Sequence, residues 1–94
     1  MMFHGLNSHI GHGAHIAHYF AQNGIITMGF DHRGFGRSPG TPGRVISHEQ
    51  HIADSIGFMN LIRPIYPHLP YFCMGLSMGG MTTYYLTHRY PEYF

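Results

Sequence analysis

Residues 75–80 read Gly75-Leu76-Ser77-Met78-Gly79-Gly80, and the reading of this stretch decides the fold. It is a G-x-S-x-G pattern. An apolar run, Leu69-Pro70-Tyr71-Phe72-Cys73-Met74, precedes it, and a helical stretch from Met81 to Tyr90, closed by Pro91, follows it. A serine on so sharp a strand-to-helix turn takes strained backbone angles that project its hydroxyl above the sheet. Side chains two residues before and after it would then strike neighbouring backbone, which accounts for glycine at 75 and 79. The helix N-terminus beyond the turn offers unpaired N–H groups and the positive end of a dipole, suited to the oxyanion of an acyl-transfer intermediate. The plainer reading of the same residues is a glycine-rich turn whose serine caps the helix.

Upstream, glycine and proline divide the chain into alternating extended and helical stretches, with no internal repeat. Met1 to Phe3 reads as the end of a strand that stops at His4-Gly5. A helix is expected from about His12 to Asn23, where Asn23-Gly24 is a stop signal. The apolar run Gly24 to Phe30, with two adjacent isoleucines, reads as a buried strand bounded by Asp31. Residues 32–44 hold most of the glycine and proline of the middle of the chain and form a loop. A second helix is expected from Ser47 to Arg63, opened by the capping-box pattern Ser47-x-x-Gln50. The order β-α-β-α-β-α argues an α/β fold, with three parallel strands and helices on both faces.

Composition excludes several classes. The chain has 94 residues, of which 44% are hydrophobic and 15% aromatic, too apolar for a disordered segment. Charged residues are 10%, with no lysine and a net charge of +1, so no basic stripe exists to bind nucleic acid through phosphates. The ten histidines make net charge sensitive to pH in the range where imidazole titrates. One cysteine, Cys73, excludes a disulfide framework and fits a reducing compartment, and its place within a strand favours a buried apolar group over a reactive thiol. There is no signal-peptide pattern and no apolar run of about 18 residues that would span a membrane. A cytoplasmic or membrane-peripheral location is the expectation.

Three motifs in order, His4-Gly5-Leu6-Asn7-Ser8-His9, Asp31-His32-Arg33-Gly34-Phe35-Gly36-Arg37-Ser38 and Gly75-Leu76-Ser77-Met78-Gly79-Gly80, resemble the successive signatures of the monoacylglycerol lipase and lysophospholipase branch of the α/β-hydrolases, the serine aminopeptidase-like hydrolases. The middle motif, D-H-x-G-x-G-x-S, is the most discriminating. The resemblance covers residues 1–94 as one partial α/β-hydrolase domain, from oxyanion loop to nucleophile elbow and its following helix. It implies that the three strands are the family's third, fourth and fifth. It further implies Ser77 as nucleophile, the backbone N–H groups of Leu6 and Met78 as oxyanion hole, and Gly75 and Gly79 as elbow glycines. The substrate class implied is an acyl ester, monoacylglycerol or lysophospholipid, reached by peripheral membrane association, with no metal or organic cofactor. Position 76 is Leu where many relatives carry His. In the family the triad acid and histidine come from later strands than those read here, so these residues alone are expected to be inactive. The alternative is a non-catalytic remnant that acts by protein interaction through exposed sheet edges.

Other candidates are weaker. A local Ser77-His4 pair is conceivable by distance, but His4 is expected to support the oxyanion loop. The series His9, His12, His15 and His18 suits a solvent-facing stripe better than a metal site, since no Cys or acidic ligand lies near in sequence. Gly34-Phe35-Gly36 begins a dinucleotide fingerprint but meets Pro39 at the third glycine position and opens no helix. Met81, Tyr84, Tyr85 and Tyr90 are expected to be core and neighbour contacts.

Overall fold

The computed structural model describes residues 1–94. Its sheet consists of two short strands, β1 (Met2–Phe3) and β2 (Met74–Gly75), paired in parallel with Met2 opposite Met74 and Phe3 opposite Gly75. Parallel neighbours need a long crossover, and residues 4–73 supply it. Within it a 3-10 turn at Ile10–Gly13 runs into helix α1 (Ala14–Gln22), and helix α2 (His48–Ile62) follows a long loop. After β2 come helix α3 (Met78–Arg89) and a final 3-10 turn at Pro91–Tyr93.

The expected third strand over Gly24–Phe30 is not formed as a ladder. One bond joins it to the sheet, from Met2 N–H to the Met28 carbonyl at 2.8 Å. The reason lies in its partner, because β1 is two residues long and a ladder needs consecutive bonds on the same edge. The run Leu69–Met74 likewise pairs only at its last residue and continues into Gly75. Helix boundaries moved less. Ser47 caps α2 as expected, its Oγ accepting from Gln50 N–H at 3.1 Å. The reciprocal arm of the capping box is not made, since the Gln50 side chain donates to Asp54 Oδ1 at 2.8 Å instead. Helix α3 begins at Met78, three residues earlier than expected, because the Ser77 carbonyl already accepts the N–H of Met81 at 3.0 Å.

Alternation along β1 divides the core. Phe3 points to one face, where it is buried with Ile52 and Met59 of α2 and Leu86 of α3. Met2 points to the other, so that a Cβ added to Gly13 would meet its Sδ. Helical structure therefore covers both faces. Tyr85 and Tyr90 pack against the core as expected, whereas Met81 and Tyr84 are exposed, on the outer side of α3. Cys73 is half-buried against the core, and burial raises its thiol above the ordinary value.

The loop of residues 31–44 is tied to its surroundings by polar contacts. Arg33 makes a bidentate pair with Asp54 of α2, Nε to Oδ2 and Nη2 to Oδ1, both at 2.9 Å. Gly34 has φ +83°, and a Cβ there would lie 2.7 Å from the Thr41 carbonyl oxygen and 2.8 Å from that of Arg44. That turn admits no side chain.

Candidate functional site

Ser77 joins β2 to α3 with φ 54° and ψ −115°, a backbone conformation that costs a non-glycine residue about 1–3 kcal/mol. It and Asn7, at φ 57°, are the two non-glycine residues of the chain with positive φ. Its side chain makes no capping bond to the helix, which removes the reading of Ser77 as a simple cap. The residue is exposed. Strain of this kind persists only where the surroundings enforce it, and the glycines show how. A Cβ on Gly75 would lie 2.2 Å from the carbonyl carbon and oxygen of Gly79. One on Gly79 would lie 2.0 Å from the Phe3 carbonyl oxygen. The elbow is therefore pressed against β1 and against its own first helical turn, with no room for a methyl group at either glycine.

Ser77→Gly is expected to stabilise the chain by about 1 kcal/mol, because glycine adopts the same angles without the Cβ clash and the gain exceeds its extra unfolded-state entropy. Thermal unfolding measures this. A lower melting temperature for the variant would mean that the elbow carries no strain.

The loop after β1 lies alongside. A Cβ on Gly5 would sit 3.2 Å from the Leu76 carbonyl oxygen and 3.6 Å from Ser77 Cβ, so this backbone runs in contact with the elbow. The N–H groups of Leu6 and Met78 have no acceptor within the chain. A small cavity of about 150 Å³, lined by Val45, His48, His51, Met78, Met81 and Thr82, opens at the first turn of α3.

His4 is not available to Ser77. Its ring is buried, and Nε2 accepts the backbone N–H of His32 at 2.9 Å. An amide N–H can only donate, so Nε2 is unprotonated and the proton sits on Nδ1, which donates to the Gly5 carbonyl at 2.8 Å. Both nitrogens are thus committed to the backbone on either side of the elbow. His4 holds the loop after β1, and the local Ser77-His4 pair is absent.

Asp31 is likewise structural. Its Oδ1 accepts Ile10 N–H at 2.7 Å and its Oδ2 accepts Arg37 N–H at 2.9 Å, while Ser38 Oγ donates to the Asp31 backbone carbonyl. The Arg37 N–H foremost holds the carboxyl below its usual range, against an opposing effect of burial and with a lesser contribution from the Ile10 N–H. A Cβ on Gly36 would lie 2.2 Å from Oδ2. The D-H-x-G-x-G-x-S motif thereby explains itself: Asp, the second Gly and Ser build one clasp, and His32 fills the space behind it.

Reading the sequence missed what His32 does. Its side chain is buried at 1% exposure, with neither ring nitrogen hydrogen-bonded. The rings of His51 and His4 lie 4.2 and 4.4 Å away and that of Phe30 4.8 Å. His51 Nε2 meets Thr82 Oγ1 at 2.7 Å, and Thr82 in turn donates to the Met78 carbonyl, which joins α2 to the first turn of α3. The only sequence signal was the place of His32 in the motif. The histidines of residues 9–18 engage local partners instead: Ser8 Oγ with His12 Nδ1 at 2.6 Å, and Gln22 Nε2 with His18 Nε2 at 3.2 Å. No three His, Cys, Asp or Glu side chains converge on a point that would hold a metal ion.

Comparison with known proteins identifies the family. The family profile described as serine aminopeptidase, S33, matches residues 1–94. A monoacylglycerol lipase of Mycolicibacterium smegmatis is 31% identical over 91 residues, which is 97% of this chain and 32% of that protein. A monoglyceride lipase of Mus musculus is 30% identical over 91 residues, 97% of this chain and 30% of that protein. A monoglyceride lipase homolog of Monkeypox virus is 31% identical over 77 residues, 82% of this chain and 28% of that protein. The chain spans about a third of the length of the curated relatives it matches.

Proposed function

We propose that this chain, which belongs to the serine aminopeptidase S33 family of hydrolases, carries the nucleophile and oxyanion hole of a serine hydrolase that cleaves acyl esters, monoacylglycerol or lysophospholipid. The observation that carries the reading is Ser77 at φ 54° and ψ −115°, exposed and uncapped, at the head of α3 beside a loop with a free N–H. Ser77 Oγ attacks the ester carbonyl, and the N–H groups of Leu6 and Met78 receive the oxyanion. The alcohol leaves, and water then releases the fatty acid from the serine. A base is needed to take the hydroxyl proton, and His4 is committed elsewhere. We assign that role to a histidine, with its acid, from the part of a longer protein for which the relatives have room. The parallel pair and the extended run Gly24–Phe30 are then the centre of a larger sheet in one α/β-hydrolase domain. The names of the relatives support a lipid substrate. A lipid substrate would be met at a membrane surface; no helix of this chain is long and apolar enough to cross one.

The test uses both forms. In a protein that joins residues 1–94 to the remainder of such a fold, a fluorophosphonate probe should label Ser77, and Ser77→Ala should lower kcat/KM for a monoacylglycerol by about 10⁴-fold or more. Unchanged turnover in that variant refutes the assignment. The 94 residues alone should not turn over a p-nitrophenyl acyl ester, and turnover abolished by Ser77→Ala would show that an imidazole within them reaches the hydroxyl.

A further inference from the structure

The loop of residues 31–44 doubles back on itself, and its glycines set how closely. Gly34 N–H donates to the Pro39 carbonyl and Gly43 N–H to the Gly34 carbonyl, both at 2.8 Å. A Cβ on Gly40 would lie 3.0 Å from Arg33 Cγ, so the returning limb runs against the stem of Arg33. Two arginines distant in sequence are thereby brought to one place. Arg33, Gly40, Thr41, Arg44 and Ile46 line a hollow of about 280 Å³. That is below the roughly 300–1,000 Å³ of pockets that enclose a whole drug-sized ligand, and it suits a small polar group.

The side chains of the hollow include two guanidinium groups and a hydroxyl, and no carboxylate. Asp54 holds Arg33 through Nε and Nη2, which fixes the plane of the guanidinium and leaves Nη1 free. Asp54 is itself satisfied, since its Oδ1 also accepts from Gln50 Nε2 at 2.8 Å. Arg33–Asp54 is the chain's one salt bridge, so Arg44 pairs with no carboxylate. Because Arg33 and Asp54 neutralise each other, Arg44 leaves a net positive charge over the hollow. The N–H groups of Gly40, Thr41 and Ile46 have no acceptor in the chain. A neutral polyol would use the hydroxyl and the amides but leave the guanidinium charge unmatched, whereas an anion with several oxygens answers both.

The hollow lies in line with the elbow. A narrow cleft shares Arg33 and Ile46 with it, and shares Val45 and His51 with the cavity at the first turn of α3. A Cβ on Gly43 would lie 3.8 Å from Asn7 Oδ1, which sets the returning limb beside the loop after β1.

We infer that this hollow is a site for the phosphate group of an organic phosphate, taken by Arg44, by Nη1 of Arg33 and by the Thr41 hydroxyl. Resting on the ester-hydrolase reading, that phosphate is the headgroup of a lysophospholipid whose ester lies at Ser77. A monoacylglycerol has no group to place there.

Binding is read without turnover, so the site and the ester reading stand or fall separately. Glycerol 3-phosphate and glycerophosphocholine, titrated into the 94-residue chain at fixed ionic strength, should each give saturable NMR shifts at Thr41, Arg44 and Arg33 Nε. Glycerol should give none. Arg44→Gln should weaken both phosphates by roughly tenfold, the worth of a hydrogen bond to a charged group. Arg37→Gln is the charge-matched control, since Arg37 is exposed and lines no part of the hollow, and it should change affinity by less than about twofold. Shifts that do not saturate, or equal losses in the two variants, would mean diffuse attraction and overturn the site. In a protein that joins residues 1–94 to the remainder of the fold, Arg44→Gln should raise KM for a lysophospholipid by roughly tenfold and leave that for a monoacylglycerol unchanged. An equal rise for both, or no rise for either, would overturn the headgroup assignment. Saturable binding in a joined protein that cleaves neither lipid would sink the ester reading and uphold the phosphate site.

Discussion

Gly79→Ala is expected to destabilise the chain by about 3 kcal/mol or more, a large part of the 5–15 kcal/mol that a small domain possesses. The new Cβ would lie 2.0 Å from the Phe3 carbonyl oxygen, 2.6 Å from its carbon and 2.9 Å from the His4 carbonyl oxygen. These are backbone atoms of a paired strand and of the loop that His4 holds. They cannot rotate away, so α3 must withdraw from β1 and uncover Phe3 and Leu86, which are 1% and 0% exposed. Gly57→Ala is the matched control. Gly57 lies inside α2, where an added Cβ meets nothing within 4 Å, and alanine should stabilise the helix by about 0.5–1 kcal/mol. Urea midpoints of the two variants should move in opposite directions. A Gly79→Ala midpoint within error of the parent would show that the elbow is not pressed against the sheet.

Acid should weaken the fold well above the carboxylate range. His32 is buried with no partner for either nitrogen, and its pKa is lowered to about 3, by burial first and then by the neighbouring His51 and His4, against opposing pulls from Asp54 and Asp31. His51 is lowered too, by burial first and then by His48. A histidine with a depressed folded pKa takes up its proton more readily when unfolded. Its stabilising contribution is thus complete above the unfolded value near 6.5 and falls as pH drops toward 3. For His32 alone the loss amounts to about 2 kcal/mol by pH 5. Asp31 and Asp54, held low by backbone N–H groups and by Arg33 respectively, add a further loss below about pH 4, where the unfolded carboxylates bind protons first. Urea unfolding across this range should show the decline, and His32→Phe should flatten its upper part. The phenyl ring keeps the aromatic packing and gives up no hydrogen bond. An unchanged pH profile in that variant would place the acid sensitivity elsewhere.

Much of the candidate site was legible because its constraints are local. Glycine at 75 and 79 around Ser77, after an apolar run and before a helix, announces a tight elbow whatever surrounds it. The capping Ser47 and the stop at Asn23-Gly24 are equally local. The third strand is not formed here although Gly24–Phe30 has a strand's composition, because strand formation is a property of a pair and β1 offers it a single bond. Helix α3 was started too late for a related reason: two glycines suggested a longer turn, whereas Phe3 and His4 press them into the first helical turn. Reading the sequence also made Met81 and Tyr84 core and neighbour contacts, whereas both are exposed on α3.

The amino-acid order by itself determined where the elbow falls, that its flanking positions must be glycine, and that three motifs occur in the order found in the monoacylglycerol lipase-like hydrolases. These follow from short-range sterics and from the spacing of residues along the chain. Only the tertiary structure decided that His4 is spent on the backbones of Gly5 and His32, that Asp31 clasps Ile10 and Arg37, and that His32 lies unpaired among aromatic rings. Each of these joins residues up to 28 positions apart, and whether an imidazole or a carboxylate is a base, a clasp or a filler depends on what the fold brings within hydrogen-bond distance.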